Sequence, residues 1–190
     1  MITKAALKDV PSEDLFREFM SRFIPDVEHE HFKDTPRRVI KMYEELLKGY
    51  RETDFNLTTF KAPLDCNLVT IKDIDFYSLC SHHLCPFQGR AHISYLPNDK
   101  IAGLSKFART VRHFAAKLQV QEILCEEVAT FLQEELQPRA LAVVMSASHT
   151  CMSMRGIKSP RSKTVTSAMR GLFITDPGLK QEFFTALKLS

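Results

Sequence analysis

Apolar residues recur at helical spacing from Leu104 to Leu136, whereas those in the stretch just before, Asn67 to Pro97, follow a strand pattern, and this change of period restricts the chain to folds that join strands to helices. Phe107, Ala108, Val111, Phe114, Ala115 and Leu118 form one stripe. Ile123, Leu124, Val128, Phe131, Leu132 and Leu136 form a second, stopped by Pro138. Both predict amphipathic helices. Ahead of them, Asn67 to Leu79 carries Val69, Ile71, Ile74 and Phe76 among polar residues, and Phe87 to Pro97 alternates through Ala91, Ile93 and Tyr95, so two strands are expected. Behind them, Leu141 to Met152 predicts a mostly buried strand, Lys163 to Phe173 a Thr-rich strand, and Pro177 onward a helix. Two more helices are expected near the start. Leu15, Phe16, Phe19, Met20 and Phe23 share a face after Pro11-Ser12-Glu13-Asp14. Thr35 reads as an N-cap before Pro36, with Val39, Met42, Tyr43, Leu46 and Tyr50 following. The expected class is α+β, helices segregated from an antiparallel sheet.

A chain of 190 residues fits one domain with a sizeable core, and no repeat, low-complexity tract or Gly/Ser linker marks a second. The net charge of +3 is too small, and its lysines and arginines too interleaved with acids, to suggest a nucleic-acid partner. No apolar run approaches the roughly 18 residues of a spanning helix, and Met1-Ile2-Thr3-Lys4 does not open a secretory signal, so no membrane partner and a cytoplasmic location are expected. The five cysteines, Cys66, Cys80, Cys85, Cys125 and Cys151, are odd in number and scattered, which argues for reduced thiols, some of them free to hold metal.

Cys80-Ser81-His82-His83 places Cys and His three apart, a spacing that a tight turn folds around one ion. His149 and Cys151 lie two apart at the end of an expected strand, so alternation sends both side chains to one face. Cys80, His83 and Cys151 then offer a donor set that suits zinc, with a fourth position left for water, while His82 and His149 flank it as proton carriers. The spacing leaves open a closed four-ligand zinc site completed by His149, His82 or Cys85. His29, His31, His92 and His113 receive no role. Arg38 and Lys41, Lys106 and Arg109, and Arg155 are cations that could converge on a triphosphate, although each taken singly also suits a solvated helix face.

Five ordered motifs carry a resemblance: Cys80-Ser81-His82-His83-Leu84; Gly103-Leu104-Ser105-Lys106; Gln119-Val120-Gln121-Glu122; His149-Thr150-Cys151 with Arg155-Gly156; and Ser162-Lys163-Thr164-Val165-Thr166-Ser167. From about Thr35 to about Phe173 the chain resembles GTP cyclohydrolase I. The resemblance implies a tunnelling fold, with an N-terminal helical segment over 1–60 and a catalytic region over 61–190 within one structural domain overall. It implies sheets joined into an oligomeric barrel, and a homodecamer of two stacked pentamers whose active sites are shared between subunits. It also implies Zn2+ as cofactor and GTP as substrate, opened at the imidazole ring with loss of formate and closed again to 7,8-dihydroneopterin triphosphate.

Carried onto this sequence, the family pattern makes Cys80, His83 and Cys151 the zinc ligands and His82 and His149 the proton-transfer groups. Ser105 assists opening of the ribose, Glu122 reads guanine and Gln121 supports base and ribose. Lys106, Arg109 and Arg155 grip the triphosphate, with Arg38 and Lys41 arriving from a neighbouring subunit. The family usually has Glu where this chain has Ser81, a change expected to modulate rate. Two other readings remain. One is a different purine or pterin hydrolase on the same fold, although the deaminase signature of H-x-E with P-C-x-x-C is missing. The other is a non-catalytic pterin- or purine-binding module with a structural zinc.

Overall fold

The protein is described by a computed structural model over residues 8–188, in two compact units, one ending at Leu47 and the other beginning at Lys48. The first unit holds α1 (Ser12–Ser21) and α2 (Thr35–Leu46). Glu13 and Asp14 in the first turn of α1 complement the positive end of its dipole. Asp34, rather than the expected Thr35, precedes α2 as its N-cap, and Thr35 and Pro36 form the first turn. The Asp34 carboxylate pairs with Arg38 at 3.6 Å and Arg37 at 4.0 Å. Tyr50, expected to extend this helical face, lies instead in a 3-10 turn, Lys48–Tyr50, of the second unit.

The second unit contains β1 (Thr59–Lys61), β2 (Val69–Cys80), β3 (Pro86–Leu96), β4 (Lys100–Ala102), α3 (Leu104–Ala115), β5 (Leu118–Gln119), α4 (Gln121–Leu136), β6 (Ala140–His149), α5 (Thr150–Ser153), β7 (Thr164–Gly171), α6 (Leu172–Thr175) and α7 (Pro177–Lys188). The α+β class is observed. The main sheet runs β5-β2-β3-β6-β7, and all its pairs are antiparallel except the two-residue parallel contact of β5 with β2; β1 and β4 form a separate small ladder. The β1, β4 and β5 strands, two or three residues each, are too short for alternation to reveal.

Strand alternation sorts the sheet's side chains onto two faces. Phe76, Phe87, Ile93, Tyr95, Leu141, Val143 and Met145 point to one and bury against Phe107 and Val111 of α3 and Leu124, Val128 and Leu132 of α4. Each such side chain contributes about 1.5–3 kcal/mol through removal from water. Ala140, Ala142 and Val144 point to the other and meet Phe173 of α6 and Phe183 of α7 in a smaller cluster. Two expected strands end early. β6 stops at His149, where residues 150–153 turn into α5, and β7 stops at Gly171, whose φ of 58° turns the chain into α6. Among the described residues no helix is long and apolar enough to cross a membrane.

Candidate metal centre and its surroundings

The β2–β3 hairpin closes through a compact turn that makes the first half of the site. The Cys80 N–H donates to the Cys85 carbonyl at 2.8 Å and the Leu84 N–H to the Cys80 carbonyl at 2.9 Å. Leu84 takes a left-handed φ of 54°, which lets the chain reverse into β3. The Ser81 N–H, donating to the Gln119 carbonyl at 3.0 Å, ties this turn to β5. The turn leaves His82 Nδ1 at 3.8 Å and His83 Nδ1 at 3.9 Å from Cys80 Sγ.

The other half comes from the end of β6. Cys151 sits in α5, so it is a helical turn rather than strand alternation that delivers its side chain. Thr150 locks that turn against the hairpin by donating its hydroxyl to the Pro86 carbonyl. Ligand atoms of Cys80, His83 and Cys151 all lie within 4.8 Å of one another. Bonds of about 2.3 Å to sulfur and 2.0–2.1 Å to imidazole nitrogen set tetrahedral donors roughly 3.5–4 Å apart, so modest side-chain adjustment seats one ion here. Two thiols and an imidazole are also the donor chemistry that zinc takes. Burial holds the Cys151 thiol above its ordinary pKa, and the neighbouring Cys80 and Cys85 sulfurs push it the same way. A cation at this point relieves that repulsion between thiolates. Among the described residues His82, His149 and Cys85 fall outside this three-membered group.

His149, the last residue of β6, is held from two sides. Phe87 stacks flat on its ring, centroids 4.5 Å apart and planes 9° off parallel. Its Nε2 lies 2.8 Å from Oε1 of Gln121, which is almost wholly buried. Burial lowers the His149 pKa, and the Glu122 carboxylate, on the first turn of α4, pulls it back up. Gln121, Glu122 and His149 therefore belong to one neighbourhood. Phe87 escaped the sequence reading; its signal was its place after Pro86 on an inward-facing position of β3.

The remaining candidates are more dispersed. Ser105 is exposed and Lys106 half-buried, both on the first turn of α3. One turn on, exposed Arg109 borders a cavity of about 270 Å³ shared with Lys48, Glu52, Arg112 and His113. Arg155 is exposed in the loop after α5, beside Gly156 at φ 59°. Arg38 and Lys41 are exposed on α2, in the first unit. Ser81 exposes its side chain on the hairpin turn.

The sequence pattern of the GTP cyclohydrolase I family matches residues 12–188. A GTP cyclohydrolase 1 of Hydrogenobaculum sp. (strain Y04AAS1) is 48% identical over 171 residues, covering 90% of this chain and 92% of the relative. One from Aquifex aeolicus (strain VF5) is 49% identical over 173 residues with the same coverage, 90% and 92%. A third, from Deinococcus radiodurans, is 42% identical over 193 residues, covering 96% of this chain and 89% of the relative.

Proposed function

The chain belongs to the GTP cyclohydrolase I family of pterin-forming enzymes, and from that premise we propose that it hydrolyses the imidazole ring of GTP, releases C8 as formate and recloses the product to 7,8-dihydroneopterin triphosphate. The observation that carries the reading is the convergence of Cys80, His83 and Cys151 within 4.8 Å beside a restrained His149. These three side chains would hold zinc. Zinc, when bound there, supplies Lewis-acid activation of water.

The other groups divide the remaining work. Ring opening turns the imidazole nitrogens of guanine into leaving groups that need protons, and the side chains of His82 and His149 carry the ring nitrogens that give and take them. Glu122 accepts from the guanine ring N–H and 2-amino group, contacts that adenine does not reproduce. Gln121 supports the base-side wall from within the fold. Ser105 assists opening of the ribose ring. Lys106 and Arg109, one turn apart on α3, and Arg155 bind the triphosphate, joined by Arg38 and Lys41 of a neighbouring subunit in a decamer. Ser81, where the family usually carries Glu, modulates the rate by changing the hydrogen bonds around the hairpin turn. The free thiols suit a reducing compartment, the cytoplasm.

The test is incubation of zinc-loaded protein with GTP, following pterin absorbance and formate together, beside Cys151→Ala and an ATP control. Matched formate and pterin from GTP alone, lost in the variant with its bound zinc, is the expected result. GTP binding without turnover would replace this reading with that of a non-catalytic purine-binding module.

A further inference from the structure

Gln121 is 1% exposed, and its side chain is committed in a way that reports on His149. A primary amide offers two N–H donors at one end and a carbonyl acceptor at the other, so its neighbours decide which end faces where. One end of Gln121 meets the Met145 carbonyl at 3.2 Å, the Thr164 carbonyl at 3.0 Å and Thr166 Oγ1 at 3.2 Å. Backbone carbonyls only accept, so this end is the NH2. Turning the amide over would set Oε1 against two carbonyl oxygens and leave buried groups unpaired, at about 1–3 kcal/mol each.

Oε1 therefore faces His149, 2.8 Å from Nε2. A carbonyl oxygen has no hydrogen to give, so the hydrogen in this bond belongs to Nε2. In the neutral imidazole the second nitrogen, Nδ1, then carries a bare lone pair. The stacked Phe87 ring holds the imidazole plane while the amide holds its rotation. The carbonyls that orient Gln121 come from β6 and β7, so the sheet itself sets the state of the histidine.

We propose that Gln121 is a positioning residue that keeps the hydrogen of His149 on Nε2, so that Nδ1 is the atom through which His149 exchanges protons with substrate. Its two N–H donors serve the sheet and its carbonyl serves the histidine, rather than the ribose or the base. The kinetic part of this inference rests on the ring-opening reading; the tautomer part does not.

The test is two-bond 1H–15N correlation of zinc-loaded, 15N-histidine-labelled full-length protein, with the His149 signals identified by their loss in His149→Gln. The expected wild-type pattern is a protonated Nε2 with an unprotonated Nδ1. In Gln121→Met, which keeps the length of the side chain and removes the acceptor, the expected pattern is a mixture of tautomers. That variant should lose about 10–100-fold in kcat, a loss of the size seen when a metal-bound imidazole is deprived of its orienting partner, with KM for GTP within about threefold. A purely architectural role for Gln121 would lower stability without moving the nitrogen shifts or splitting kcat from KM. A hydrogen on Nδ1 in the wild type overturns the proposal, whether or not the variant folds. An unchanged His149 spectrum and kcat in Gln121→Met overturns it equally. A wild type that releases no formate from GTP counts against the ring-opening reading, and the spectrum still decides the tautomer.

Discussion

Phe87 is both buried in the core and stacked on the His149 ring, so substituting it separates a part in stability from a part in the proposed chemistry. The side chain is 1% exposed, meets Phe76 edge-on with centroids 6.1 Å apart, and stacks on His149 at 4.5 Å. Phe87→Ala removes a whole buried ring and leaves a cavity, at about 3–5 kcal/mol. At about 2–4 °C per kcal/mol for a chain of this size, the melting temperature should fall by roughly 10 °C. Phe87→Leu retains most of the volume and should cost about 1 kcal/mol, a fall of only about 3 °C. Both variants lose the flat surface that restrains the His149 ring. Turnover of GTP, measured at a temperature where both are folded, should therefore drop in both by a similar factor, about tenfold, with little change in KM. Thermal melts and initial rates on the same preparations make the comparison. If Phe87→Leu keeps full turnover while Phe87→Ala loses activity only as it unfolds, the stack does no positioning and the reasoning is refuted.

Burial foremost lowers the pKa of His92, with Arg90 and Lys72 adding to the shift and Asp73 opposing it. Burial also leads the lowering at His113, where Lys117 and Lys48 add and Glu52 and Glu127 oppose. The unfolded chain therefore binds more protons than the folded one below about pH 6.5, so this part of the stability is complete above that pH and is lost as pH falls toward the folded values; urea midpoints on either side of about pH 6.5 should show the decline, and equal midpoints would contradict it. A Cβ on Gly89 would sit 2.1 Å from the Ser146 carbonyl oxygen and 2.7 Å from Ala147 Cα. Both are backbone, so Gly89→Ala should force β3 and β6 apart at a cost of about 1–3 kcal/mol or more, read as a lowered urea midpoint. Burial pushes the Cys125 thiol up to about 11. At pH 8 only about one in a thousand of these thiols is ionised, so a thiol-specific reagent should leave Cys125 unmodified in native protein and label it after denaturation, as mass spectrometry of peptides would show.

How much of this was legible beforehand differs from element to element. The stripes of α3 and α4 were plain because twelve to sixteen residues repeat one apolar period, although Leu118, expected on the first stripe, lies in β5; the long strands β2 and β3 were legible by the same kind of repetition. The pairing of Cys80 with His83 was legible because a three-residue spacing is short enough to be a property of the local turn. Cys151 was grouped with them for a reason the structure replaces. It was expected on a strand, two residues from His149 and on the same face; it lies instead on a helical turn, and its sulfur reaches Cys80 because Thr150 fastens that turn to the Pro86 carbonyl. The two units also illustrate the difference, since each helix of the first was visible in its own period.

By itself the sequence determined what depends on neighbours along the chain: helical and strand periods, the helix start at Pro36 and the stop before Pro138, the donor types at the candidate metal centre, and the five motifs of the family. Only the tertiary structure decided the state of His149. Its ring is set by Gln121, 28 positions away, whose amide is in turn oriented by carbonyls 24 and 43 positions further on. Hydrogen-bond direction is a matter of which atoms meet in space, and chain spacing carries no trace of it once the partners lie on a helix and two separate strands.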